Sequence, residues 1–378
     1  MNLLDICSIG GSSVKKFNGE KLYIATGDVN ENKIVANETI VYNKKPSRAN
    51  LEIRKGDVLF AKMINTIKVL KADDSNIKNI YSTGFYCMTP NNNVLQDYLY
   101  LYFNSESFNS QKDKNCSGAT QKAINNEGLH KITIKALPSL EEQKKIIDKL
   151  FKIMSLIKIK KYEIDELNLL VKSQFVEMFG TNKKSKYPFD SLENLTLKIT
   201  DGKHGGCKGE KKSGYYFVGA TEIYNDKINY QTAKEITKTD FEKDYKRCDL
   251  KNNDFVIVNT GATIGKSAIV NTDLADHTLL QKSVALIRTK QELINTIYLK
   301  YCYDANPDMY NKGNGCARIN LLLSQIKETM IPVPPIELQN KFAMIVEQID
   351  KQKFVNANLL QLLGKNLKRC YNNIIDFR

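Results

Sequence analysis

Two segments of the chain carry apolar residues at helical spacing, and in the first the intervals alternate between three and four. In the first, 139–179, Ile147, Leu150, Met154 and Ile157 are followed, after a break at Lys161, by Ile164, Leu167 and Val171. In the second, 336–376, the run is Leu338, Phe342, Ile345 and Ile349, then Leu359, Leu362 and Leu363. That spacing lays one apolar stripe along an α-helix. Neither segment contains proline. Pro138, Pro334 and Pro335 suit the first turn of a helix, and Glu141, Glu142 and Glu337 suit its positive end. Gly180 is a stop for the first helix, and Gly364 is a weak point near the end of the second. Each helix would run ~60 Å at 1.5 Å per residue. That exceeds the usual helix of a globular domain. Two such helices in one chain are expected to pair with each other, antiparallel.

Between these segments the period shortens. DVLFA, KITIKAL, YYFVGA, DFVIV and SVALIR are short β-branched and aromatic runs between polar turns, and they read as strands. Short helices intrude at LQDYLYLYFNSESF (95–108) and ELINTIYLKYCYDA (292–305). The whole pattern occurs twice. PSLEEQ (138–143) matches PPIELQ (334–339), and GATQKAIN (118–125) matches NGCARIN (314–320). KGDVLFAK (55–62) matches NNDFVIVN (252–259), and YIATGDVNENKI (23–34) matches YFVGATEIYNDKI (216–228). Leu4 to Ile6 likewise matches the entry near Leu192 to Leu195. The order is a mixed α/β domain at 1–137, a long helix at 138–180, a second domain at 181–333 and a second helix at 334–378. Antiparallel pairing would set the domains at opposite ends, about a pseudo-twofold axis.

Composition narrows the function without fixing it. The chain has 378 residues, 42% of them apolar and 26% charged, which is ordinary for two or three globular domains. No window approaches the ~18 apolar residues of a membrane span. MNLLDICSIGGSS shows no signal peptide, so a cytoplasmic location is expected. The formal charge of +14 suits contact with phosphate backbones. Only seven of the 56 basic residues are Arg, so a lysine-rich composition alone could also give that charge. The eight cysteines form no C-x-x-C pair, and the histidines are His130, His204 and His277. No zinc site is expected, and the cysteines read as free thiols in a reducing compartment.

Two motifs invite an enzymatic reading, and both fail on spacing. NTGATIGKS (259–267) follows the run FVIV like a phosphate-binding loop. Gly261 and Gly265 are three residues apart where that loop needs four. The segment continues as SAIV, a strand, where the loop would open a helix. Its counterpart KMINTIK (62–68) has no glycine. A β-hairpin is expected over 255–270. ANPDMY (305–310) approaches the N-P-P-[YF] of amino-methyltransferases, but Asp308 replaces the second proline and Met309 displaces the tyrosine. No Gly-rich S-adenosylmethionine loop accompanies it. No (D/E)-x-K follows Pro307–Asp308, so no nuclease site of that kind is read. No cofactor is expected.

The chain resembles the specificity subunit of type I restriction–modification systems. GATQKAIN…PSLEEQKKI, its copy GCARIN…PPIELQNKF, and NNDFVIVNTGATIGKSAIV followed by HTLLQKSVALIR carry the resemblance, which spans nearly the whole chain. It implies an α+β fold: two mixed α/β target-recognition domains separated by two long helices that pair as an antiparallel coiled coil, with an internal pseudo-twofold repeat. It also implies a non-catalytic subunit. Each domain would read one half of a bipartite double-stranded DNA site. The helices would set the spacing and dock two methyltransferase subunits, with motor-nuclease subunits joining the assembly. The residues alone also allow the recognition chain of another, type II-like bipartite system, or a coiled-coil spacer with two protein-binding heads.

Direct readout needs donors and acceptors on loops that reach base edges, and backbone positioning needs cations and small polar groups. Three loop classes in each domain supply them. The early Gly-rich turn offers Ser12 in one copy, and Lys203 and His204 in the other. The hairpin offers Lys62, Asn65 and Lys68, and Thr260, Thr263 and Lys266. The segment before the last strand offers Thr120, Gln121 and Lys122, and Asn314, Ala317 and Arg318. Arginine is rare here and its fork can read guanine, so Arg318 stands out. The helical stripes, Ile147, Leu150, Met154, Ile157 and Ile164 with Phe342, Ile345, Ile349, Leu359 and Leu362, are candidates for pairing and for methyltransferase docking.

Overall fold

A computed structural model describes residues 1–180, 185–309 and 320–375. Both long helices are present, at Leu140–Phe179 and Ile336–Ile375, 40 residues each. Ser139 caps the first. Its N–H and Oγ both donate to Glu142 Oε2, at 2.9 and 2.8 Å, and the Glu142 N–H returns to Ser139 Oγ at 3.3 Å. That reciprocal box takes the entry position. Pro138 therefore stands outside the first turn, as do Pro334 and Pro335 before the second helix. At the far end Gly180 adopts φ +77°, and its N–H bonds Val176 O at 2.8 Å, which is a left-handed stop. Gly364 is accommodated within the second helix.

The chain divides into two compact units. The first is Met1–Tyr162 with the chain from Ala357 onward, and the second is Glu163–Asn356. In the first, Cys7–Ile9, Phe85–Pro90, Val58–Ala61 and Val69–Lys71 form an antiparallel sheet in that order. A second sheet has the order Glu38–Val41, Glu20–Ile24, Ile80–Ser82, Ala49–Leu51, with the middle pair parallel. A two-residue ribbon, Val29–Asn30 against Lys33–Ile34, turns through Glu31 and Asn32, both at positive φ.

The second unit repeats this plan. Thr196–Asp201, Val284–Thr289, Phe255–Val258 and Ser267–Ile269 form the antiparallel sheet in the same order. Lys234–Glu235, Tyr216–Val218 and Thr278–Leu280 form the second sheet, again with a parallel pair. The ribbon Ile223–Tyr224 with Lys227–Ile228 turns through Asn225 and Asp226, both at positive φ. The duplication in sequence is thus a duplication of topology. VLFA and FVIV read as unbroken apolar runs because each is an inner strand buried on both faces. One expectation fails. KITIKAL forms no strand and pairs through one bridge, Thr133 to Asn2, flanked by bonds from Leu3 N–H to Ile132 O at 3.0 Å and from Ile134 N–H to Met1 O at 2.9 Å.

Each unit also holds part of both long helices. In the second, Phe342 packs edge-on against Phe175 and Phe179, with both ring centroids at 5.5 Å. Further along, Lys353 Nζ donates to Asn168 Oδ1 and Asn356 Nδ2 to Glu163 Oε2, each at 3.1 Å. As one helix ascends the other descends, so the pair is antiparallel. In the first unit Ile147 and Leu150 are buried in the core, Met154, Leu367, Cys370 and Tyr371 pack against it, and Tyr371 Oη lies 3.9 Å from Met154 Sδ. Phe342 and Ile349 are buried, and Ile157, Ile164, Ile345 and Leu359 are half-buried. Leu363 takes the seam, and Leu362 is 55% exposed.

Candidate nucleic-acid interface

Register places the candidate loops. In the first unit, strand Cys7–Ile9 ends opposite Met88 and strand Val58–Ala61 ends opposite Phe85. Both strands run the same way against Phe85–Pro90. The early turn after Ile9 and the hairpin after Ala61 therefore emerge at one end of the sheet. The third segment joins them there. Ile124 N–H donates to Lys62 O at 3.0 Å, Ile64 N–H donates to Lys122 O at 3.1 Å, and Met63 bridges Ala123. The second unit repeats the arrangement. Asp201 ends opposite Ala285 and Val258 opposite Val284. Leu321 N–H donates to Asn259 O at 2.8 Å, and Thr260 Oγ1 to Asn320 Oδ1 at 2.8 Å. Three loop classes far apart in sequence converge at the sheet end of the first unit, and in the second the early turn and the hairpin do so, with Asn320 and Leu321 beside them.

Their side chains divide into exposed and engaged groups. Ser12 is exposed, its backbone pinned by paired bonds to Glu52 at 3.0 and 2.9 Å. Gly11 beneath it has φ +77°, and a Cβ there would press on Leu51. Asn65 is exposed at φ +56°, with its N–H on Asp113 Oδ1 at 3.1 Å. Gln121 and Lys122 are exposed. Lys62 is half-buried with Nζ 4.2 Å from the Tyr86 ring centre, and burial lowers its pKa. Lys68 turns inward and donates to Thr26 O at 2.7 Å. It ties the hairpin to the domain.

In the second unit the strands Phe255–Val258 and Ser267–Ile269 pair antiparallel across the loop that carries GATIGKS. The segment is the expected hairpin, and a strand follows it where a phosphate loop would open a helix. Gly261 and Gly265 supply left-handed turns at φ +101° and +88°. Lys266 is exposed, and Thr263 is half-buried with its carbonyl accepting from the Lys266 N–H at 3.2 Å. Lys203 pairs with Asp244, and that bond raises its pKa. His204 is half-exposed, with Nε2 3.7 Å from Asp201 Oδ2. Arg318, Asn314, Ala317 and Tyr310 lie outside the described residues.

Two lysines at these sheet ends escaped the sequence reading. Lys282 is exposed in the turn before Val284–Thr289, and its N–H donates to Lys203 O at 2.9 Å. Its only signal was a place between two strands. Lys112 is 1% exposed and supports the first hairpin from below. Its Nζ donates to Thr66 O at 2.5 Å and Met63 O at 3.2 Å, beside Asp113 at 3.4 Å. Burial lowers its pKa, although Asp113 opposes the shift. Among the described residues no cluster of His, Cys, Asp and Glu could hold a metal, and no helix is long and apolar enough to cross a membrane.

Known proteins share this plan. The type I restriction modification DNA specificity domain matches residues 1–169 and again 203–363. The specificity subunit of the type I restriction enzyme EcoBI from Escherichia coli is 23% identical over 308 residues. The match covers 73% of this chain and 62% of that relative. A chain from a structural study of assembly and conformational transition in the type I restriction–modification system superposes with a TM-score of 0.65 at 18% identity, covering 99% of this chain and 96% of that one. The S subunit of a type I system from M. genitalium gives a TM-score of 0.54 at 15% identity, covering 99% and 95%. At these identities the likeness to solved structures is one of fold.

Proposed function

The chain belongs to the type I restriction modification DNA specificity domain family, and from that premise we propose that it is a non-catalytic subunit that reads a bipartite double-stranded DNA site. Each domain takes one half-site with the loop cluster at its sheet end. The convergence of three separate loops in the first unit, with the equivalent early turn and hairpin meeting in the second, supports this reading most directly. A single loop could be an ordinary solvated turn. Three brought together in one unit, carrying Ser12, Asn65, Gln121 and Lys122, and the turns carrying His204, Lys266 and Lys282 in the other, offer base-edge donors and phosphate cations.

The helices set the spacing between half-sites and dock two methyltransferase subunits, to which motor-nuclease subunits add in the cytoplasm. Exposure supports docking. Leu156, Ile159, Leu169, Leu170 and Val176 on the first helix, and Met344, Phe354, Val355 and Leu362 on the second, are each 45–64% exposed. Apolar residues in such numbers outside the paired seam suit a protein partner.

The test is the ruler. Four residues inserted between Lys160 and Lys161, matched by four after Asn356, add close to one turn and ~6 Å, or about two base pairs of duplex. Methylome sequencing of cells carrying this complex should show a longer spacer with both half-sites unchanged. A single inserted residue rotates the chain beyond it by about 100° and should abolish methylation. An unchanged spacer in an active complex would remove the ruler.

A further inference from the structure

Each long helix begins over a buried glutamine, and the two glutamines make the same three bonds. Gln143 Oε1 accepts from Leu95 N–H at 2.9 Å, and its Nε2 donates to Asn93 O at 2.8 Å and Pro138 O at 2.9 Å. Gln339 Oε1 accepts from Asn295 N–H at 2.9 Å, and its Nε2 donates to Leu293 O at 3.2 Å and Pro334 O at 2.8 Å. Both residues are 0% exposed. Leu95 and Asn295 occupy the same place, the cap of the short helix that packs on each sheet, Gln96–Phe103 and Thr296–Ala305. One amide therefore links three things in each unit: the cap of the short helix, the loop before it, and the linker that enters the long helix.

Only a primary amide satisfies all three backbone groups, because it brings one acceptor and two donors on one planar group. A carboxylate would face two carbonyls. Asparagine would fall a methylene short. Polar contacts elsewhere between domain and helix lie nearer the surface, such as Asn295 Nδ2 to Asn340 Oδ1 at 2.9 Å and Lys368 to Glu106 at 3.4 Å, and the buried packing is apolar, with Ile147 and Leu150 in the first unit and Phe342 and Val346 in the second. Apolar packing holds the helix on the domain without directing it. Hydrogen bonds are directional. The amide stands at the start of the long helix and ties it and its linker to the domain, at the point about which a domain would tilt on its helix.

The clamp is retained where its neighbours have diverged. The residue after the central strand is Lys62 in one unit and Asn259 in the other. The buried Asp57 and Asp254 have different partners. A feature kept the same at both ends suits a demand common to both ends. We propose that Gln143 and Gln339 are positioning residues that fix the angle of each recognition domain on its long helix, and so determine how strictly the complex selects one spacer length. This rests on the DNA-recognition reading above.

The test uses the full chain reconstituted with its methyltransferase subunits. Gln143→Met and Gln339→Met keep side-chain length and remove the amide. The substrates are duplexes with identical half-sites and a series of spacers shorter and longer than the cognate one. Wild type should methylate one spacer. Each variant should raise methylation of the neighbouring spacers relative to the cognate by roughly tenfold, with the bases read unchanged. Ile287→Val, a core change away from the clamp, serves as a control. It should lower the thermal midpoint and leave the spacer strict. Gln variants with a lowered midpoint and an unchanged spacer profile would overturn the proposal and leave the clamp purely structural. If the methionine variants do not fold, Gln143→Glu is read the same way, since its protonated form keeps the acceptor and one donor. A wild-type complex that selects no bipartite site overturns the functional reading itself.

Discussion

The two units share the order of their antiparallel sheet and the parallel pair of the second sheet, to which the first unit adds the strand Ala49–Leu51, and they differ in how equivalent positions are held. Asp57 and Asp254 both follow a left-handed residue, and each accepts a turn N–H at 2.8 Å, from Arg54 and from Lys251. Both are buried. Asp57 is otherwise bonded by neutral donors, Thr89 Oγ1 at 2.6 Å and Cys87 Sγ at 3.1 Å, and burial together with this carboxylate pushes the Cys87 thiol up. Asp254 takes the fork of Arg288, with Nε and one terminal nitrogen each at 2.7 Å. Arg288 also reaches Asp249. Burial alone would raise the Asp249 carboxyl, yet Lys198 and Arg288 hold it below the usual range.

The ribbon turns differ in the same way. Asn32 bonds Asn104 at 2.6 Å in one unit, whereas Asp226 and Asp304 share Lys300 at 3.1 and 2.6 Å in the other. The second unit also inserts the helix Lys238–Cys248, whose Asp244 and Arg247 engage the early turn. A frame set by strand pairing tolerates either chemistry at its joints. The surfaces that the frame carries are then free to diverge.

The largest test of that independence is exchange. Replacing residues 1–137 with the corresponding domain of a homologue should change one half-site completely and preserve the other, read by methylome sequencing. If both half-sites changed together, the units would not be separate readers.

The frame was legible in sequence because its signals are local. Proline-free runs with helical spacing gave both long helices, and a repeated register of short motifs gave the duplication. The parallel pairing of Glu20–Ile24 with Ile80–Ser82 was not legible, since no local signal joins strands so far apart. The seam at Leu363 rather than Leu362 shows how one residue of phase is lost when adjacent leucines both fit the spacing. Candidate side chains were harder still. Lys68 and Lys203 carry the same charge as Lys266, and only a partner forty residues away makes them internal ties. Gln143 and Gln339 were in view within PSLEEQ and PPIELQ, but glutamine in a helix start reads as solvated until the carbonyls around it are known.

The two buried aspartates sharpen the comparison energetically. Arg288→Met leaves the Asp254 carboxylate without its cation, in a site where that side chain is 2% exposed. Breaking one side of a buried pair costs about 3–5 kcal/mol. Thr89→Val removes one neutral donor from Asp57, a loss of about 1–3 kcal/mol. Denaturant midpoints of the two variants should differ accordingly. Equal losses would mean that the two carboxylates are held alike, whatever their partners.

The smallest effect distinguishes the two hairpins. Lys266 is exposed on a loop bounded by two left-handed glycines, and among the described residues its side chain has no bonded partner. If it neutralises one phosphate, Lys266→Ala should reduce the slope of log K against log salt by about one unit, and do so on specific and random DNA alike. Lys68 occupies the other hairpin with its charge spent on Thr26 O. Lys68→Ala should leave the salt slope unchanged and lower stability by about 1 kcal/mol, the worth of one internal hydrogen bond. The two variants remove the same charge from corresponding loops, so net charge cannot explain a difference between them. A matching fall in slope for both would show that the loops meet DNA through general electrostatics, and that the inward turn of Lys68 does not persist in the complex.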